Sequence, residues 1–197
     1  TISKVFTKKG DGGKTELIGK KNVYKDNIRI DAYGELDELN VIIGGCCKEL
    51  QELVVSRPSN KILRLIEILE LLQNKIFNLG NMIATIDADT LKDMPQIDVE
   101  DLKELEKNIN NYNDVLPTLS SFVLPGGSNA NIWFNLSRTV SRKCERIIVK
   151  LHKEEPLPLI VLKYINRVSD AFFVWGRWIN FNLNIDEKLW NPNKENK

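Results

Sequence analysis

Residues 122–151 read FVLPGGSNANIWFNLSRTVSRKCERIIVKL, a Pro-Gly-Gly turn running into a long helix. Pro125, Gly126 and Gly127 break any structure before them, Ser128 is suited to cap a helix, and the residues beyond it recur at helical spacing. At about 100° per residue, Trp133, Leu136, Val140, Cys144, Ile147 and Leu151 fall in one stripe that should face a core. Arg138, Arg142 and Glu145 lie on the other side. A cationic row turned away from its own core must meet water, a second subunit or an anionic ligand. Surface Arg and Glu are ordinarily just solvated. This row, however, follows a glycine-rich turn at a helix start, where free N–H groups and the helix dipole favour anions. The next helix repeats the design, with Asn166, Asp170 and Arg177 on one side and Ile165, Val168, Phe172, Trp175 and Ile179 on the other.

Outward from these two helices the chain stays helical. Asp31 to Leu53 puts Leu36, Leu39, Ile43, Cys46, Leu50 and Leu53 on one face. Gly44 and Gly45 weaken that helix, which is tolerable where another helix or a ligand comes close. Pro58 opens a second helix reaching about Ile86. Asp98 caps a third, in which Val99, Leu102, Leu105, Ile109 and Tyr112 recur, and Ile97 can staple onto Leu102. Asn110 to Thr118 reads as a polar connector. About five helices result and no strand pattern competes, so the fold class is all-α, a five-helix bundle. Residues 183–197 read as a polar tail in which Leu189 and Trp190 could dock locally.

At 197 residues the chain can bury a substantial core and is most simply one domain over 1–197, with a loop at 1–30, the bundle at 31–182 and the tail at 183–197. Its 28 Lys and Arg against 27 Asp and Glu give a net charge of +1, with no global signature of a nucleic-acid or membrane partner, so any anion site must be local. Cys46, Cys47, Cys144 and His152 have neither disulfide-framework nor zinc spacing, and a reducing compartment fits best. No apolar run is long enough to span a bilayer. The chain begins at Thr1 and not at Met, which leaves a removed leader open. No Ser/His/Asp, Cys/His or HExxH arrangement is present, so a hydrolase or a protein nucleophile is a poor expectation.

Residues 1–30 are the least helical part, with Gly10, Gly12, Gly13 and Gly19 set among Lys8, Lys9, Lys14, Lys20 and Lys21. Glycine N–H groups can converge on a phosphate while Lys adds charge and Thr7 or Thr15 a hydroxyl. Gly13-Lys14-Thr15 is not a P-loop, because that motif needs a glycine where this chain has Lys8. Composition alone leaves phosphate binding and a disordered basic arm equally open.

Four segments in order, TKKGDGGKTELIG with RIDAYGELDELN near the start and FVLPGGSNA–SRTVSRKCER with YINRVSDAFFVWGRWIN near the end, resemble the PduO-type ATP:cob(I)alamin adenosyltransferases. The resemblance covers both ends of the chain and leaves the middle unmatched. It implies a helical bundle that transfers the 5′-deoxyadenosyl group of ATP to cob(I)alamin and releases triphosphate. The substrates would be ATP and cobalamin, with Mg²⁺ as the counter-ion. Against ATP it would place Thr7, Lys8, Lys9, Gly10, Asp11, Thr15, Glu16 and Lys25 from the first loop, and Arg142, Lys143, Glu145, Arg146 and Asn166 from the helices. Asp37 would pair with Arg138 beside the corrin. Phe122, by default a core residue, would close the lower corrin face and displace its axial ligand. Lys143 stands where a second arginine is common and Lys9 where threonine is usual, and a lysine lacks the two-pronged guanidinium geometry.

The resemblance further implies a homotrimer with sites between subunits, which would explain an arginine face turned from its own core. It points to an intracellular setting, cytoplasm or mitochondrial matrix, with a reductase upstream and a cobalamin-dependent enzyme to receive the product. Two other classes compete. A non-catalytic corrinoid escort would bind adenosylcobalamin without releasing triphosphate, and a purely structural helical protein would explain the stripes but not four ordered motifs.

Overall fold

The computed structural model describes residue 6, residues 8–19 and residues 21–193 of the chain. Thr7, one of the residues expected at ATP, lies outside them. A short antiparallel hairpin, β1 (Lys14–Glu16) and β2 (Asn22–Tyr24), leads into six helices: α1 (Ile28–Ser56), α2 (Asn60–Ala84), α3 (Ala88–Lys92), α4 (Val99–Asn113), α5 (Asn129–Glu154) and α6 (Leu159–Asn182). The mostly helical class agrees with the reading of the sequence. The hairpin and α3 were not expected, because a three-residue strand and a five-residue helix are too short to show a period.

The helix ends follow local chemistry. Asn27 accepts from the Arg29 N–H at 2.9 Å to start α1. Asp98 and Asp101 form a reciprocal capping box at α4, and Ser128 accepts from the Asn131 N–H at 3.1 Å to start α5. Partner contacts set the directions. Arg29 meets Glu155, Glu35 meets Cys144 and Cys46 meets Ser137, so α1 and α5 are antiparallel. Asn40 and Gln73 exchange side-chain to backbone bonds, and Arg29 reaches the Ile83 carbonyl, so α1 and α2 are antiparallel as well. Asn131 bonds the Gly176 carbonyl and Asn166 bonds Glu145, which makes α5 and α6 a third antiparallel pair.

The core runs along α1, α2, α5 and α6, and the stripe read for α1 is the buried one. The stripe read for α5 is rotated. Phe134, Ser137, Ser141 and Ile148 are buried beside Val140, Cys144 and Leu151, while Trp133 and Leu136 are partly exposed. The cause is that Ser137 and Ser141 return their hydroxyl protons to the carbonyls of Trp133 and Arg138, at 3.0 and 2.8 Å, and so sit in the core without an unmet bond. Trp133 instead lies over α1: a Cβ on Gly45 would stand 2.7 Å from its ring, so the glycine is what permits this approach.

Candidate active site

The sequence expected free N–H groups at the Pro-Gly-Gly turn, and side chains take those of Gly126, Ser128 and Asn131. Asn131 Oδ1 accepts from the Gly126 N–H at 3.1 Å, and Asn180 Oδ1 accepts from the Ser128 N–H at 3.1 Å and from the Ser128 hydroxyl at 2.7 Å. Asn180 also donates to the Gly126 carbonyl at 2.8 Å. Gly127 adopts φ +93°, and a Cβ there would meet Asn180 at 2.6 Å. The turn is therefore a fixed platform, tied to α5 by Asn131 and to α6 by Asn180.

From this platform projects Phe122, 79% exposed and so not the core residue of the default reading. It lines a pocket of about 110 Å³ in which Asn131, Asn135, Arg138, Phe173 and Arg177 also take part. Arg138 is partly buried, with its Nε donating to Asn135 Oδ1 at 3.4 Å. Burial, and then the neighbouring charge of Arg142, push its pKa below the usual guanidinium value. A guanidinium nevertheless stays protonated, so the pocket holds a charge that wants a partner. Asn135 and Phe173 were not singled out from the sequence, although each lies one helical turn from a residue that was.

The arginine row continues along α5. Among the described residues Arg138, Arg142 and Arg146 have no carboxylate within ion-pair reach, while Lys143 is committed: its ammonium lies 2.7 Å from Glu35 and 3.2 Å from Glu38, bracing α5 against α1. Those carboxylates raise the Lys143 pKa. Glu145 accepts from Asn166 at 2.9 Å, tying α5 to α6 beside the row.

Asp37 does not join Arg138 within the chain. Positions 35 and 38 of α1 face α5, whereas Asp37 lines a cleft of about 300 Å³ between α1 and α2 with Tyr33, Gly34, Asn40, Phe77 and Gly80. Residues 35, 37 and 38 point to different neighbours because each step along the helix turns by about 100°.

The first loop is a compact structure of its own. Gly13 donates to the Gly10 carbonyl at 3.2 Å, Lys25 donates to the Gly13 carbonyl at 2.9 Å, and Thr15 pairs with Val23. Lys8 takes a left-handed φ of +60°. The Lys25 ammonium stands 3.1 Å from where a Gly10 Cβ would be, and Lys14 covers the Tyr24 ring at 4.8 Å. Lys8, Lys9, Asp11, Glu16 and Lys25 are exposed around it, with Gly10 and Thr15 partly so. Ile18 bridges to Thr85 at the end of α2, and buried Arg29 ties the same end of the bundle to Ile83 and to Glu155. Along α5, Arg142 stands about 20 Å and Arg146 about 14 Å from Glu155. Among the described residues no hydrogen bond or ion pair joins the hairpin to the arginine row.

The cysteines offer no nucleophile. Burial pushes Cys46 and Cys144 up to about 12 and Cys47 to about 11. Among the described residues no three His, Cys, Asp or Glu side chains cluster as metal ligands, and no helix is long and apolar enough to cross a membrane.

The sequence profile of the cobalamin adenosyltransferase family matches residues 5–179. The corrinoid adenosyltransferase of Bacillus subtilis is 35% identical over 184 residues, covering 93% of this chain and 90% of that protein. The corrinoid adenosyltransferase of Mycobacterium leprae is 32% identical over 197 residues, covering 97% of each. Among solved structures, a phenylalanine-to-alanine variant of the PduO-type ATP:corrinoid adenosyltransferase of Lactobacillus reuteri, complexed with cobalamin and ATP, superposes with a TM-score of 0.83 at 35% identity, over 95% of this chain and 99% of that one. An arginine-to-lysine variant of the same enzyme, complexed with ATP, gives a TM-score of 0.82 at 35% identity, over 95% and 100%.

Proposed function

The chain belongs to the cobalamin adenosyltransferase family, and from that premise we propose that it transfers the 5′-deoxyadenosyl group of ATP to cob(I)alamin, leaving adenosylcobalamin and triphosphate. It is an ATP:corrinoid adenosyltransferase. The observation that carries this reading is the family match over residues 5–179, which spans both the hairpin and the arginine row.

The reaction needs no protein nucleophile, because reduced cobalt is itself one. The cobalt–carbon bond forms as the C5′–O bond of ATP breaks, and the electron pair leaves with triphosphate. The tasks left to the protein are alignment and charge stabilisation. Lys8, Lys9, Gly10, Asp11, Thr15, Glu16 and Lys25 of the hairpin would hold the triphosphate, with Thr7 beside them. Arg142 and Arg146, cations without a carboxylate partner, would meet its growing charge, and Glu145 with Asn166 would offer polar contacts to the nucleoside. Lys143 would enter the site only by exchanging Glu35 and Glu38 for phosphate. Mg²⁺ would arrive on the triphosphate oxygens, since the described residues contain no cluster to hold it alone.

The two cationic surfaces support a site shared between copies. The hairpin of one subunit would meet the arginine row of another, and Asp37 of one would reach Arg138 of the next, in a homotrimer of single-domain chains. Exposed Phe122 would then cover the lower corrin face. Four-coordinate cob(II)alamin, with no lower ligand, is more easily reduced. An intracellular setting, cytoplasm or mitochondrial matrix, is favoured by the need for ATP and a strong reductant, with a reductase and a cobalamin-dependent acceptor enzyme as partners.

Anaerobic turnover of chemically reduced cob(I)alamin with Mg-ATP tests the reading. Protein-dependent adenosylcobalamin with intact triphosphate supports it, and corrinoid binding without triphosphate release would assign the chain to escort duty instead.

A further inference from the structure

One buried ion pair borders the Phe122 pocket, because Arg177 is among the residues that line it. Arg177 was expected on the open side of α6, yet it is 6% exposed. Its Nε and Nη2 donate to the two carboxylate oxygens of Glu187 at 2.8 and 2.9 Å, and Nη2 donates also to the Pro117 carbonyl at 2.9 Å. Such a two-pronged contact is particular to the planar guanidinium. Buried pairs of this kind add little net stability, because desolvation offsets their attraction, and their better-attested use is to select one arrangement among several.

The arrangement selected here lies outside the helices. The Pro117 and Glu187 segments run on into a short antiparallel contact in which Val123 pairs with Leu189. Leu124 donates to the Lys188 carbonyl at 2.8 Å, and Trp190 donates to the Phe122 carbonyl at 2.7 Å. The Ser121 hydroxyl donates to the Trp190 carbonyl at 2.9 Å. The Phe122 ring stands edge-on to Trp190, with centroids 6.2 Å apart. Too exposed to be held by core packing, Phe122 has its backbone held by this strap.

We propose that Arg177 is a positioning residue: by gripping Glu187 and the Pro117 carbonyl together, it fixes the C-terminal strap 187–190 against residues 121–124 and so sets where the Phe122 ring stands. The inference rests on the reading of Phe122 as the cover of the lower corrin face. Arg177 borders the Phe122 pocket, but its Nε and Nη2 are committed to Glu187 and the Pro117 carbonyl, so it acts through the strap and its loss is felt where Phe122 is needed, in handling cob(II)alamin.

Glu187→Ala, Glu187→Gln and Phe122→Ala are compared in the full chain with ATP bound. The readouts are the electron paramagnetic resonance of added cob(II)alamin, turnover from cob(II)alamin with a one-electron flavin reductant, and turnover from pre-reduced cob(I)alamin. Glu187→Ala is expected to lose the four-coordinate signal and at least about tenfold in cob(II)alamin turnover, with cob(I)alamin turnover and the KM for ATP within about twofold. Glu187→Gln keeps the shape and one hydrogen bond and is expected in between. It also decides the matter if the alanine variant does not fold. Retention of the four-coordinate signal in both Glu187 variants, with its loss in Phe122→Ala, would overturn the role of Arg177 alone. Retention in all three would overturn the reading of Phe122 as well.

Discussion

Asp37 and Arg138 open onto different clefts of the same chain, the first between α1 and α2 and the second beside Phe122. If they meet, they meet between copies. Asp37→Asn and Arg138→Ala should each lower turnover by about tenfold or more, and the double variant should lose little beyond the worse single one, a coupling of about 1–3 kcal/mol. Independent, multiplying losses in a double-mutant cycle would contradict the pair.

Arg142 and Lys143 are adjacent in sequence but differently employed. Arg142→Ala should raise the KM for ATP by about tenfold with an unchanged melting temperature, since it removes a cation that no carboxylate among the described residues pairs. Lys143→Ala should act more weakly on KM and lower the melting temperature, because it unties α5 from Glu35 and Glu38. Steady-state kinetics beside a thermal melt separates the two, and a reversed order would reassign the nucleotide contact to Lys143.

Asn180 is 2% exposed and holds both sides of the Pro-Gly-Gly turn. Asn180→Ala leaves Ser128 N–H and the Gly126 carbonyl unmet and should cost about 2–3 kcal/mol in urea unfolding. A loss below about 0.5 kcal/mol, the range of ordinary surface substitutions, would mean that the turn holds itself.

The thiols of Cys46 and Cys144 stay protonated at neutral pH. Raised from 9.0 to about 12 in the fold, they leave stability untouched below pH 9 and diminish it as pH climbs from 9 towards 12, where the unfolded chain ionises first. Native protein should resist maleimide at pH 8 and react after unfolding. Rapid labelling of either cysteine in the native state would show that α1 and α5 part readily.

What the sequence disclosed was mostly local. The Ser128 and Asp98 caps and the α1 stripe follow from neighbouring residues, and the structure has each of them. The α5 stripe was misplaced because Ser137 and Ser141 count as polar in a periodicity yet satisfy their hydroxyls inside the helix. Arg177 was misplaced because its partner Glu187 lies beyond the end of its helix, where no helical spacing reveals it. Of the candidate site, the motifs proposed the residues, but only the structure separates Arg142, which no described carboxylate pairs, from Lys143, engaged by Glu35 and Glu38.

The central claim is that hairpin and arginine row form one site from two copies. Lys25→Ala and Arg142→Ala, each assayed at ATP well below the wild-type KM, where each should keep about a tenth of turnover, should regain activity when co-refolded at equal amounts, because random assembly gives about a quarter of the interfaces two intact halves. Recovery of about a quarter of wild-type turnover is the predicted result. If the mixture stays as inactive as its components while still assembling, the two halves belong to one chain and the shared site is wrong.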